Sequence, residues 1–115
     1  MGIPELGVCS WSRQVKSVPE LAKLMDEVGA VVTQVALGDP NHATWVEGAD
    51  LIKVLRKAPF EMTAAMIGYP GEDYTTPETI RRTGGFGDPA TRQDRLGMFR
   101  RAVDMTAELG LKILA

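Results

Sequence analysis

The sequence predicts an α/β fold of parallel strands, arranged as the first half of a (β/α)8 TIM barrel in the order βαβαβαβ. Three observations carry that expectation. Short, uncharged apolar runs alternate with longer stretches of helical periodicity, the pattern of a sheet whose strands are joined by crossover helices. The run 62–68 (MTAAMIG) has no charged residue and is broken off by Gly68, Pro70 and Gly71, which suits a strand buried on both faces. Polar chemistry then collects just beyond it, at Glu72, Asp73 and Tyr74, where parallel α/β folds bind ligands outside the carboxyl ends of their strands.

The first strand is expected at 6–11 (LGVCSW), with Ser10, Trp11 and Ser12 marking its exit. Cys9 inside it reads as an inert buried thiol, since no cationic neighbour activates it. Trp11 either stacks on a substrate or covers the core. The first helix opens at Ser17 and Glu20, an S-x-x-E capping box. Leu21, Leu24, Met25 and Val28 then share one face, and Gly29 supplies the left-handed stop.

A second strand follows at 31–37 (VVTQVAL). Its set Val31, Thr33, Val35 and Leu37 fits a face covered by helices. The set Val32, Gln34, Ala36 and Gly38, small and carrying one amide, fits a barrel interior better than a solvent face. The segment 38–41 (GDPN) is a turn by its chemistry, and Asp39 is explained by it. His42, the chain's single histidine, stands at this strand exit. It is either a loop residue or a group that polarises a substrate oxygen or binds metal, for which several ligands would have to converge. The second helix is expected over 48–58, with Thr44 and Glu47 as a further capping pair, Leu51, Ile52 and Leu55 inward, and Lys53, Arg56 and Lys57 outward.

The connection 69–88 is longer than a compact domain leaves structureless, so it is expected to be functional or partly helical. Thr76-Pro77-Glu78 is a helix start, and a short helix is predicted through Arg82. Glu72 and Asp73 are adjacent carboxylates, either solvated loop acids or contacts to substrate hydroxyls. The segment 85–90 (GFGDPA) matches G-x-G-x-x-A, but it follows a polar stretch rather than a strand. Asp88 as cap and Pro89 at the first helical position explain it better than nucleotide binding. The last helix is predicted over 89–109, with Leu96, Phe99, Val103 and Thr106 or Ala107 inward. Gly110 ends it, and 111–115 (LKILA) begins a fourth strand.

Alternation by itself fits an open doubly wound sheet as well as a barrel. The small-and-amide face of the second strand, the rim-type connection and the final run in a strand favour the barrel. A complete barrel takes roughly 250 residues, so these 115 residues are read as one partial domain, 1–115, supplying the first four strands.

Lys plus Arg number 13 against 15 Asp plus Glu, a net charge of −2. That balance gives no basic footprint, and nucleic acid is not an expected partner. No apolar run approaches the ~18 residues of a membrane span. The start MGIPELG lacks a signal-peptide layout, so no membrane partner and a cytoplasmic setting are expected. With a single cysteine there is no internal disulfide.

LGVCSW at 6–11, TQVALGDP at 33–40 and above all MIGYPGEDYTTPETIRRTGG at 66–85 resemble the start of sugar phosphate isomerase/epimerases with the xylose isomerase-like barrel. The resemblance covers nearly the whole chain. It implies proton transfer on a polyol or keto sugar. It also implies a divalent metal, held in the full-length protein by carboxylates and a histidine on later strands. No cofactor, metal ligand or catalytic acid or base is therefore expected within this chain. The substrate-binding candidates are Trp11, His42, Glu72 and Tyr74, with a small sugar as partner. Two other readings stand beside this one: a non-catalytic α/β binding module, and a half barrel that self-associates through its exposed strand edges.

Overall fold

The computed structural model describes residues 5–38 and 45–115. Three strands, β1 (Gly7–Cys9), β2 (Val32–Gly38) and β3 (Glu61–Ile67), form one sheet in the order β1-β2-β3, with both neighbouring pairs parallel. A fourth position is started beside β3. Ala65 bridges Leu114 in parallel, and the amide of Ile67 donates to the carbonyl of Ala115 at 2.9 Å. Each strand therefore lies next to its predecessor. An open doubly wound sheet would reverse direction partway; a barrel wall does not.

The helices confirm the single direction of winding. α1 (Val18–Val28), α2 (Leu51–Arg56) and α4 (Pro89–Glu108), the last following the short α3 (Pro77–Thr83), share one apolar cluster. In it Val18, Leu21 and Met25 meet Leu51 and Leu55 over Val35 and Ala65, with Met105 and Leu109 at the end of α4 packed alongside. Parallel connections of one hand, taken always in the same direction, lay their helices on the same face. The opposite face carries Cys9, Gln34 and Ala64 in register across the sheet, and Cys9 and Gln34 border an open hollow with Gly7, Val32 and Thr63. That is the small-and-amide face expected to point into a barrel.

Local chemistry sets most element ends. Ser17 Oγ accepts the Glu20 amide at 3.2 Å, while the Glu20 carboxylate takes the amide of Lys16 at 2.7 Å, one residue earlier than in a standard box. Gly29 ends α1 with φ +73°, a conformation in which a Cβ is strained. Gly7 has a different reason: a Cβ there would stand 2.8 Å from the carbonyl oxygen of Val32. Close pairing of β1 on β2 needs that bare backbone.

Several expectations are corrected. β1 stops at Cys9 and a 3-10 turn, Ser10–Arg13, follows, because Ser10 Oγ takes the Ala36 amide at 2.9 Å in place of a continuing ladder. Cys9 is half-buried rather than buried, its sulfur 3.9 Å from the Gln34 side-chain oxygen on the open face. The expected second helix is a 3-10 turn, Gly48–Asp50, followed by α2, which closes through tight bonds from Lys57 to Val54 and from Ala58 to Leu55. Ile52 is only half-buried, unlike Leu51 and Leu55. Val28 is 56% exposed; Gly29 turns the chain away at once and no further turn covers it. On α4 the inward side is Arg95, Ala102 and Thr106, whereas Val103 is 43% exposed and Ala107 is exposed. The helix is rolled because the preceding connection draws Arg95 inward. Thr44, of the expected capping pair, lies outside the described residues. Glu47 instead reaches back to accept the Val18 amide at 2.8 Å, capping α1 from across the fold.

Candidate functional site at the strand carboxyl ends

The exits of the three strands are tied into one rim. The Gly68 amide donates to the Gly38 carbonyl at 2.7 Å, linking the ends of β3 and β2. The peptide groups of Ala36 are held from two sides: the buried Ser10 hydroxyl accepts its N–H, and the Trp45 indole donates to its carbonyl at 2.7 Å. Trp11 follows Ser10 and is half-buried. The strand ends thus form a fixed floor, with the Trp45 indole bonded at β2 and Trp11 in the turn that follows β1.

The connection after β3 forms the other side. Tyr69 is buried, and its ring lies 5.3 Å from that of Phe86, which in turn meets Phe99 of α4 edge-on at 5.9 Å. Glu72 spends both carboxylate oxygens on backbone, accepting the Tyr69 amide at 3.1 Å and the Gly85 amide at 2.9 Å. Arg95, buried on α4, donates to the carbonyls of Pro70, Thr83 and Gly85, and its guanidinium stands 5.4 Å from the centre of the Tyr69 ring. Burial pushes the Tyr69 phenol above its ordinary pKa, the Glu72 charge adds to the rise, and Arg95 partly offsets it.

Further out, the carboxylate of Asp73 accepts both the hydroxyl and the amide of Thr75, at 2.6 and 2.9 Å. Those bonds hold its pKa below the usual value. The Asp73 amide donates to Thr83 Oγ1 at 2.8 Å, fixing the start of the loop to the end of α3. α3 opens on a reciprocal cap: Thr76 Oγ1 accepts the Thr79 amide and Thr79 Oγ1 the Thr76 amide, both at 3.1 Å. The predicted helix is present and runs one residue past Arg82. Asp88 likewise caps α4 through the Ala90 amide, with Pro89 first in the helix.

Of the four residues singled out in the sequence, Trp11 lies beyond β1, whereas Glu72 and Tyr74 lie beyond β3. Trp11 sits in the 3-10 turn after β1 and the other two in the connection after β3, and in the sheet β2 lies between those two strands. Tyr74 is 64% exposed. Glu72 is turned to backbone amides rather than outward. His42, with Asp39, lies outside the described residues. Among the described residues no three His, Cys, Asp or Glu side chains converge as metal ligands, so they do not fit the divalent metal that the resemblance implies. No described helix is long and apolar enough to cross a membrane.

Ser10, Trp45, Tyr69 and Arg95 are not among the site residues that the sequence singles out. For Arg95 a signal exists: it falls at helical spacing with Phe99, Ala102 and Thr106, so a cation stands in an otherwise inward stripe. The other three act through contacts to distant groups, which no local pattern announces.

No family model and no curated protein matches the sequence. Among solved structures, the crystal structure of a xylose isomerase domain protein from Planctomyces limnophilus is similar with a TM-score of 0.70 at 20% identity. The match covers 95% of this chain and 39% of that one. The chain has the fold of part of a xylose isomerase-like TIM barrel, over a share of its length consistent with an amino-terminal portion.

Proposed function

We propose that the chain is the amino-terminal wall of a cytoplasmic sugar phosphate isomerase/epimerase that acts on a polyol or keto sugar by proton transfer. The observation that supports this reading is the singly wound parallel sheet, similar to part of a xylose isomerase domain protein, with its ordered rim at the strand carboxyl ends. In this reading Trp11 offers an apolar plate to the C–H face of a sugar, and the exposed Tyr74 phenol meets its hydroxyls. His42, which follows β2 in the sequence, is the third contact of this proposal. Glu72 acts indirectly, by holding the connection that carries Tyr74. Proton removal beside the carbonyl, with stabilisation of the enediolate charge, falls to groups outside the described residues. No metal-dependent step is assigned to the residues described.

Calorimetric titration of the protein with ketoses, ketose phosphates and polyols tests this reading. Saturable binding of one class is expected, weakened about tenfold by Trp11→Ala, in line with loss of ~1.4 kcal/mol of stacking. No binding of any class at millimolar concentration would refute it.

A second reading, self-association of two copies through strand edges, is favoured by Leu6 and Ile113, 81% and 58% exposed beside the outer strand positions. Sedimentation equilibrium decides it: a monomer mass across the micromolar range excludes the pairing.

A further inference from the structure

Arg95 is the most unusual group in the fold: a guanidinium only 4% exposed, with no carboxylate paired to it among the described residues. Burying a cation without an anion is costly, and the interior tolerates it only where hydrogen bonds replace water. Here the replacements all come from one segment. Pro70, at the start of the 69–88 connection, and Thr83 and Gly85, near its end, each give a carbonyl oxygen to the same side chain. The Tyr69 ring supplies its face. Gly85 is gripped twice, its carbonyl by Arg95 and its amide by Glu72, which also takes the Tyr69 amide. The connection is therefore a closed loop whose neck is fastened from α4, and the segment bearing Asp73, Tyr74 and α3 lies between the fastened ends.

An apolar side chain of equal length would fill this space without burying a charge. What it could not do is hold three diverging carbonyls, a task suited to the planar, many-donor guanidinium. We infer that Arg95 is a positioning residue: it fastens the neck of the 69–88 connection and so sets Tyr74 on the rim for the sugar. The inference rests on the function proposed above for its ligand, but not for its structural half.

Hydrogen exchange and sugar titration of Arg95→Met and Arg95→Lys test it together. The expected result is that R95M speeds amide exchange across 69–85 about tenfold or more, with exchange in β2 and α1 unchanged. R95K, which keeps the charge but not the fork, falls between. Sugar affinity is expected to weaken in the same order. If R95M leaves the connection as protected as in the unsubstituted protein, Arg95 merely fills space and the inference is overturned. It is overturned equally if the connection loosens while sugar binds as tightly as before. Should R95M fail to fold, R95K decides by the same two readouts. Absence of sugar binding by the unsubstituted protein would instead overturn the functional reading and the rim role assigned to Arg95 with it, while exchange still shows whether Arg95 fastens the neck.

Discussion

Replacing Glu72 separates the substrate contact that its sequence position suggests from the bracing role that its geometry displays. Its two oxygens accept amides from opposite ends of the connection, Tyr69 at 3.1 Å and Gly85 at 2.9 Å. A hydrogen bond to a charged group contributes about 1.5–3 kcal/mol. Glu72 is half-exposed, so solvent screening places each bond at the lower end or beneath it, near ~1–1.5 kcal/mol. Glu72→Ala loses both and is expected to destabilise the protein by about 2–3 kcal/mol. Glu72→Gln keeps one oxygen but points an NH2 group at the other amide, so one bond is lost and a donor faces a donor; about 1.5 kcal/mol is expected. Urea unfolding monitored by circular dichroism measures both, with the midpoint shifting and the slope unchanged. If both variants stay within about 0.5 kcal/mol of the parent, the ordinary range for surface substitutions, while sugar affinity collapses, then the carboxylate serves the ligand and the bracing role is wrong.

The remaining predictions concern the core, the sheet and pH. Leu21→Ala should lose about 2–5 kcal/mol, because Leu21 is fully buried in the cluster. Val28→Lys should stay within about 0.5 kcal/mol, since its side chain already faces water; thermal melts compare the two, and a large loss at Val28 would contradict the observed helix face. Gly7→Ala places a methyl 2.8 Å from a backbone oxygen, an overpacking expected to cost about 1–3 kcal/mol; unchanged amide protection in β1 would show that the close approach is not needed. For pH, Tyr69 has a raised pKa when folded, so the fold favours its proton and stability is lost as pH rises past the ordinary value of 10.0. Absorbance near 295 nm should show one of the two tyrosines ionising late, and Tyr69→Phe should abolish that late step. Asp73 behaves oppositely: its lowered pKa makes its contribution present above about 3.8 and lost as pH falls below it, which Asp73→Asn would remove from the acid limb of a stability profile.

Features that depend on neighbours along the chain were legible from residue order alone. Charge-free runs became the parallel strands, and Ser17, Thr76 and Asp88 each became a helix cap. Gly29 became a left-handed stop, and Pro77 and Pro89 became first helical residues. These features follow from backbone dihedrals and bonds spanning only a few residues, so local chemistry suffices to write them. The small-and-amide set around Gln34 also foretold which face of the sheet would be left open. Folding in three dimensions was needed to see that Glu72 serves the amides of Tyr69 and Gly85. It alone decided that Glu47 caps a helix begun 29 residues earlier rather than its own, and that α4 rolls to bury Arg95 in place of Val103. Each of those outcomes depends on residues brought together from elsewhere in the chain. A carboxylate or guanidinium can satisfy itself with water, with a ligand or with distant backbone, and which one wins is set by what packing brings within about 3 Å of it.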